Sequence, residues 1–269
     1  MLKFFRRVRR KLIDEDEQSE ALTESTAKRV GRPKRYLMYG VGEIFLVVVG
    51  ILIALQINNW NENKKTSRLE EKYLELLKKE FSYNLEQLEQ VMGGNQKKGD
   101  RALELSQYTG PSQPQLSEAE FAGLFFSVVS EEVQYRPSNG VLEEILSSGK
   151  LTIFSDQSLR TSLSSWNGIL FRVRFQEQEL AKYRYALIDM MLAKINGRQA
   201  FYDYSKGIFD LTPSKFENNN LDLLQSVEFE SVLVGFLATS RFAQQEYYPN
   251  LKVEIENILE LIAAQLGSE

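Results

Sequence analysis

Any chemistry performed by this chain has to rest on carboxylates, lysines, serines and tyrosines, because its 269 residues include no histidine and no cysteine. That composition removes imidazole bases, thiolate nucleophiles, zinc-finger ligand sets and disulfides. The acidic groups that stand together are Glu131-Glu132 and Glu143-Glu144, with Asp189 further along. A helical two-metal site needs glutamates and Glu-x-x-His pairs projecting from several helices, and these pairs do not have that spacing. Neighbouring glutamates on helices ordinarily make solvated faces. The sequence has no phosphate-binding loop, no dinucleotide glycine fingerprint and no nucleophile elbow. Arg136 before Pro137, and the turn Ser147-Ser148-Gly149-Lys150, read in two ways. They form either an anion site, with backbone groups beside cations, or a pair of helix caps. The aromatic residues Phe125, Phe126, Trp166, Phe171, Phe175, Tyr183, Tyr185, Phe201, Tyr202 and Tyr204 line a pocket or fill a bundle core. The expectation is no catalytic residue, no metal and no cofactor.

The elements that would position these groups begin with an apolar segment. Tyr36 to Ile57 reads YLMYGVGEIFLVVVGILIALQI, long enough as a helix to cross a hydrocarbon core of about 30 Å. Glu43 costs up to about 3 kcal/mol at mid-membrane, while each of roughly a dozen Leu, Ile, Val and Phe residues returns about 0.3 to 0.6 kcal/mol, so insertion is favoured by a narrow margin. Tyr36 and Tyr39 at one edge and Trp60 at the other supply amphipathic rings suited to the two interfaces. Two other readings exist: a signal peptide, for which the run ends without a small-x-small cleavage site, and a buried helix of a soluble protein. Gly40, Glu43, Val47, Gly50, Ala54 and Ile57 recur at three- and four-residue spacing. They make a stripe suited to close helix packing, unless the glycines are merely those common in membrane helices. On the first reading, Gly40, Glu43, Gly50 and Ala54 mediate a homo-oligomer or docking to another membrane protein.

Orientation follows from charge. Residues 1–35 hold 11 of the 33 Lys and Arg, although the chain carries a net charge of -4. Five Lys or Arg precede the span within twenty residues and four follow it. The near-tie is broken by Lys3, Arg6, Arg7, Arg9, Arg10 and Lys11 in the short tail, which place the N-terminus on the cytoplasmic side. Leu2, Phe5, Val8 and Leu12 fall on one helical face among those cations, the pattern of a helix lying on anionic lipid. Residues 14–17 reverse the charge and 18–30 are polar, as in a flexible linker. The basic cluster Arg29 to Arg35, with Lys34 and Arg35 next to the span, superficially resembles a minor-groove hook. Beside a membrane it sets topology and binds headgroups, so lipids are the expected partner and nucleic acid is not.

Beyond Trp60, Leu69, Tyr73, Leu74, Leu77, Phe81, Leu85, Leu88 and Met92 step at helical spacing. Gly93-Gly94 weakens that helix and Gly110-Pro111 ends it. Ser117 to Glu120 has capping-box spacing ahead of Phe121. Ser147-Ser148-Gly149 closes a short helix, Ser155-Asp156 opens another through Leu159, Leu163 and Trp166, and helical spacing returns through Phe171, Phe175, Tyr183 and Leu187 and again over 221–266, broken near Pro249. The reading is all-α, with one N-terminal transmembrane helix and an extracytoplasmic helical bundle of about five to seven helices with long antiparallel members. The chain divides into a tail at 1–35, a span at 36–57 and a domain at 58–269.

The stretch from Lys34 to Glu62, with Tyr39-Gly40-Val41-Gly42-Glu43-Ile44 and Ile53 to Glu62, resembles the anchor of uncharacterised single-pass membrane proteins of Bacteroidota catalogued as a domain of unknown function, DUF6090. Met1 to Ile13 and Pro137 through Glu143-Glu144-Ile145-Leu146-Ser147-Ser148-Gly149-Lys150-Leu151 to Leu159-Arg160 are similar too, whereas residues 14–33 are longer than usual there. The resemblance implies the bacterial inner membrane and supplies no activity. The role expected is a non-enzymatic envelope scaffold or adaptor, with the domain periplasmic. The alternatives are an extracytoplasmic small-ligand sensor and a carboxylate-based enzyme.

Overall fold

The computed structural model describes residues 32–112, 114–206, 208–217 and 219–267, with side chains from residue 40 onward. Every regular element among them is helical: α1 Arg32–Ser106, α2 Glu118–Val129, α3 Gly140–Ser147, α4 Gln157–Lys194, α5 Gly197–Ser205, α6 Val227–Phe242 and α7 Tyr248–Leu266. Short 3-10 turns at Lys150–Ile153 and Asn220–Gln225 and a π turn at Ala243–Tyr247 complete the set. Contacts divide the chain between Lys64 and Lys65 into two units.

In the first unit, α1 from Gly40 is long and apolar enough to cross a membrane, and none of its apolar stretch is buried. Ile44, Phe45, Leu52 and Ile57 are between 58% and 66% exposed. A contiguous apolar surface of that kind is not left in water by a folded protein and calls for lipid or another chain.

The second unit has two cores. One is built from Leu77, Phe81 and Leu88 of α1, Leu142 and Ile145 of α3, Leu163 and Trp166 of α4, and Leu251, Ile255 and Ile258 of α7. The other takes Ala102 and Leu105 of α1, Phe121 and Phe125 of α2, Leu180 and Leu187 of α4, and Phe229, Leu233 and Phe236 of α6. Helix α4 serves both because its inward line runs Leu159, Leu163, Trp166, Leu170, Val173, Glu177, Leu180, Leu187 and Met190. Phe171 and Phe175, expected on that line, lie on the outer face at 70% and 54% exposure. The helical period is the expected one, but the face is displaced, and the true inward line contains a glutamate that apolar spacing alone passes over.

Local caps explain several boundaries. Ser117 and Glu120 form the reciprocal capping box that their spacing predicts. Gly149 adopts φ 69°, the left-handed geometry that glycine supplies without steric cost, and closes α3. Asp156 accepts from Leu159 N–H at 2.7 Å and starts α4.

Of two expected weak points, neither ends its helix. Gly93-Gly94, read as weakening α1, lies within it, and α1 runs on through Leu103 and Leu105 to Ser106. Each glycine costs about 1 kcal/mol in a helix, but the turn that follows is held by tertiary contacts. Asn95 is fully buried and donates to Ser240 O and Gln244 Oε1, both at 3.0 Å, and Ala102 and Leu105 are buried too. Pro249 does not break the C-terminal pair open either. A proline lacks the N–H for the bond to the residue four back, and its ring crowds that carbonyl. The chain meets this with the π turn Ala243–Tyr247 just upstream, so helical structure continues from α6 to α7.

Candidate functional site

Gly40, Glu43, Gly50, Ala54 and Trp60 all lie exposed on α1, and a Cβ built on Gly40 or Gly50 meets no atom within 4 Å. The Lys64 ammonium sits 4.8 Å from the Trp60 ring centre, a cation–π contact of the kind found where an aromatic ring meets polar surroundings. Lys34, Arg35, Tyr36 and Tyr39 belong to the helical backbone of α1, but their side chains lie outside the described residues, as do Arg6, Arg7, Arg9, Arg10 and the whole amphipathic tail.

The proposed anion site resolves into caps and ion pairs. Lys150 bonds Tyr73 and Glu144, and Tyr73 donates to the same carboxylate. The Tyr73 hydroxyl, and then Lys150, hold Glu144 below the usual carboxylate range. Arg136 pairs with Glu132 and Gln134. Of the acidic pairs, Glu132 and Glu144 are therefore occupied by neighbouring cations, and no cluster of three or more potential metal ligands occurs among the described residues.

Residues that spacing did not single out organise the centre of the domain. Helix α3 has no side-chain cap from its own Asn139. Its cap arrives instead from α1, where the Glu80 carboxylate accepts from Val141 N–H and Leu142 N–H at 3.0 Å each and from Ser138 Oγ at 3.3 Å. Asn84 adds two reciprocal bonds of 2.7 Å to the Ser138 backbone. Asn139 is free to accept from Trp166 Nε1 at 3.2 Å. The stretch Pro137 to Leu151, on which the family resemblance partly rests, is thus a loop and helix pinned to α1.

A cleft of about 230 Å³ lies beside this region, lined among others by Lys98 of α1, Glu131 and Gln134 of the α2–α3 loop, Arg174, Glu177 and Arg184 of α4, and Phe236 of α6. Lys98 donates to Val128 O at 3.2 Å and Arg184 Nε to Val129 O at 2.8 Å. Both cations therefore sit at the C-terminal carbonyls of α2, where the helix dipole favours positive charge. Burial pulls the Lys98 ammonium below its ordinary range, partly offset by Glu131. Glu177 is only 4% exposed. Its Oε1 accepts from Tyr135 N–H at 2.7 Å and Tyr248 Oη at 3.0 Å, whereas its buried Oε2 has no partner. Burial drives the Glu177 carboxyl up to about 7, against the lowering pull of the Tyr135 and Tyr248 bonds and of Arg174. Desolvation, then Glu177, pushes both phenols, Tyr135 and Tyr248, well above the ordinary range. Tyr135 in turn donates to Asn84 O at 3.1 Å, tying the loop back to α1.

The class defined so far is an all-α protein with one N-terminal helix suited to membrane crossing and a helical domain after it. Within that class, the chain belongs to a family of unknown function, DUF6090, which it matches over residues 43–182. The matched stretch runs from Glu43 of the apolar segment through Glu80, Tyr135 and Glu177. No curated protein and no solved structure matches the chain.

Proposed function

We propose that this protein is a non-enzymatic, membrane-anchored scaffold or adaptor of the bacterial envelope, held in the inner membrane by residues 36–57 with its N-terminus cytoplasmic and its helical domain periplasmic. The observation that carries the anchor is the unburied apolar surface of α1, from Val41 to Ile57. The tail cations Arg6, Arg7, Arg9 and Arg10 support the orientation. The adaptor role is supported by how the domain spends its polar groups. Glu80, Asn84, Glu132, Glu144 and Lys150 all bind the protein's own backbone or side chains, while large apolar side chains such as Phe171 and Phe216 stay on the surface.

The natural absence of cysteine makes the test direct. Single cysteines at Ser19 and Ser164 should differ in whole cells, with only Ser164→Cys labelled by a membrane-impermeant maleimide once the outer membrane is permeabilised. Equal labelling of both, or recovery of the full chain in the soluble fraction without detergent, overturns the anchor. For the role, photo-crosslinking from position 171 in cells should give one reproducible adduct, and no adduct from any outer-face position would defeat it.

A second reading, a receptor for a small ligand, is favoured by one observation, the charged cleft lined by α1, the α2–α3 loop, α4 and α6. A ligand that stabilises the full chain in detergent against heating would support it.

A further inference from the structure

Helix α6 is apolar on both of its faces. From Ser231 to Ser240 it carries no charged residue. Phe229, Leu233 and Phe236 fill the second core, while Val227, Val234 and Phe242, on the opposite line with Ala238, stand 76%, 47% and 59% exposed. A helix that is hydrophobic all round belongs in an interior, so its outer line calls for a cover.

Helix α4 lies antiparallel beside α6 and widens this face. Gln176 Nε2 donates to Thr239 O at 3.0 Å, the Tyr183 ring lies over Gly235, and Lys194 pairs with Glu228. That register sets the exposed Phe175 of α4 near the Phe242 end of α6. At roughly 150–250 Å² per aromatic side chain, Phe175, Tyr183, Phe242 and the two valines expose on the order of 500 Å² of apolar surface. A stable interface takes about 800 Å² from each partner, a little over half of it apolar, so the face is large enough for one. Its charges are sorted by end. Lys182 is paired with Glu179, Lys194 with Glu228 and Arg241 with Asp100. Arg172, one turn before Gln176 at the Phe242 end, and Glu230, near the other end, are exposed and have no partner among the described residues.

We propose that a second copy of this chain covers this face, the two α6 helices lying antiparallel about a two-fold axis between Val234 and Ala238, with Arg172 of each copy against Glu230 of the other. An axis there puts Val234 opposite Ala238 and the Phe242 end of one copy over the Ser231 end of the other, bulky against small. Glu246 then falls beyond the overlap, level with Ser226. Opposite charges at the two ends of one face are what an isologous pair needs, and a lipid surface has no use for them. The proposal rests on the adaptor reading, for which it names the partner.

Ala238→Cys is made in the full-length chain, which has no other cysteine, and membranes containing it are treated with a short bismaleimide. The expected result is a product of two chains, shown by two differently tagged copies in one band. Arg172→Glu and Glu230→Arg each reduce that product severalfold, and the two together in one chain restore it. Circular dichroism of the purified protein in detergent reports unchanged helix content throughout. A product holding a different polypeptide in place of the second copy overturns the proposal and leaves the adaptor reading standing. An unlinked chain, or a two-chain band indifferent to both charge reversals, overturns the interface, and the adaptor reading is then decided by crosslinking from position 171. Should Arg172→Glu fail to fold, Phe242→Asp on the exposed line takes its place and must abolish the product.

Discussion

Replacing Glu177 by glutamine exchanges a buried carboxylate for a neutral group of nearly the same shape, and its effect on stability should depend on pH. The folded protein holds the Glu177 proton more tightly than the unfolded chain does, with the carboxyl raised from 4.5 to about 7. The group therefore carries no penalty below about pH 4.5 and an increasing one as pH climbs through about 7, where the buried charge has to form. Integrated between about pH 5 and about pH 8, that difference is at most roughly 2.5 kcal/mol. For a domain of this size each kcal/mol moves the midpoint by about 2–4 °C, so wild type should lose roughly 5–10 °C more than Glu177→Gln over that interval. The assay is thermal unfolding of full-length protein in detergent, followed by circular dichroism at both pH values. The difference between the two proteins is the informative quantity. It cancels carboxylates shifted the other way, such as Glu144 and Glu120, and any constant cost of an unpaired glutamine N–H. Parallel curves for the two proteins would refute the reasoning, because they would mean that Glu177 is ionised in the fold at no cost.

Further substitutions test the packing. Glu80→Ala removes the shared acceptor of Val141 N–H, Leu142 N–H and the Ser138 hydroxyl and should cost roughly 2–4 kcal/mol in a denaturant titration; a loss under about 0.5 kcal/mol would show that water replaces the cap. Gly235→Ala places a Cβ within 2.2 Å of the Tyr183 ring and should destabilise by about 1–3 kcal/mol, yet be neutral or slightly stabilising in a Tyr183→Ala background. The same cost in both backgrounds would contradict that contact. Phe81→Ala, which removes a ring packed edge-on against Trp166 at 5.0 Å, should lose about 3–5 kcal/mol, whereas Phe171→Ala on the outer face should stay within about 0.5 kcal/mol. Comparable losses from the two would mean that the faces of the helices are misassigned.

The helical class, the capping box at Ser117, the glycine stop at Gly149 and the start at Asp156 are legible because each is a local arrangement of neighbouring residues. The internal cap of α3 is not, since Glu80 and Leu142 are brought together only by folding, and Glu80 sits among other glutamates and lysines that look alike along the chain. What carries α1 past the weak point at Gly93-Gly94 is not local either, because the contacts come from Ser240 and Gln244, far along the sequence. Glu177 did leave a trace. It falls four residues after Val173 and three before Leu180, on the same helical line as Trp166 and Leu170. A carboxylate at an inward position of an otherwise apolar line marks a group that needs partners from elsewhere, and following Phe171 and Phe175 instead hid it. The charges of the cleft converge from α1, the α2–α3 loop and α4, so no local motif announces them.

The π turn at Ala243–Tyr247 bears on which changes of length the C-terminal region can absorb. A π turn holds one residue more than the α turn it replaces, so dropping a residue there lets the backbone relax to ordinary winding with the flanking side chains still facing their neighbours. A residue lost inside α7 has no such slack. It would turn everything downstream by about 100°, bringing Lys252 or Glu256 round toward the places now filled by Leu251 and Ile255. Deletions should therefore be accommodated over five positions and ruinous a few residues later, a boundary drawn by winding and not by residue type.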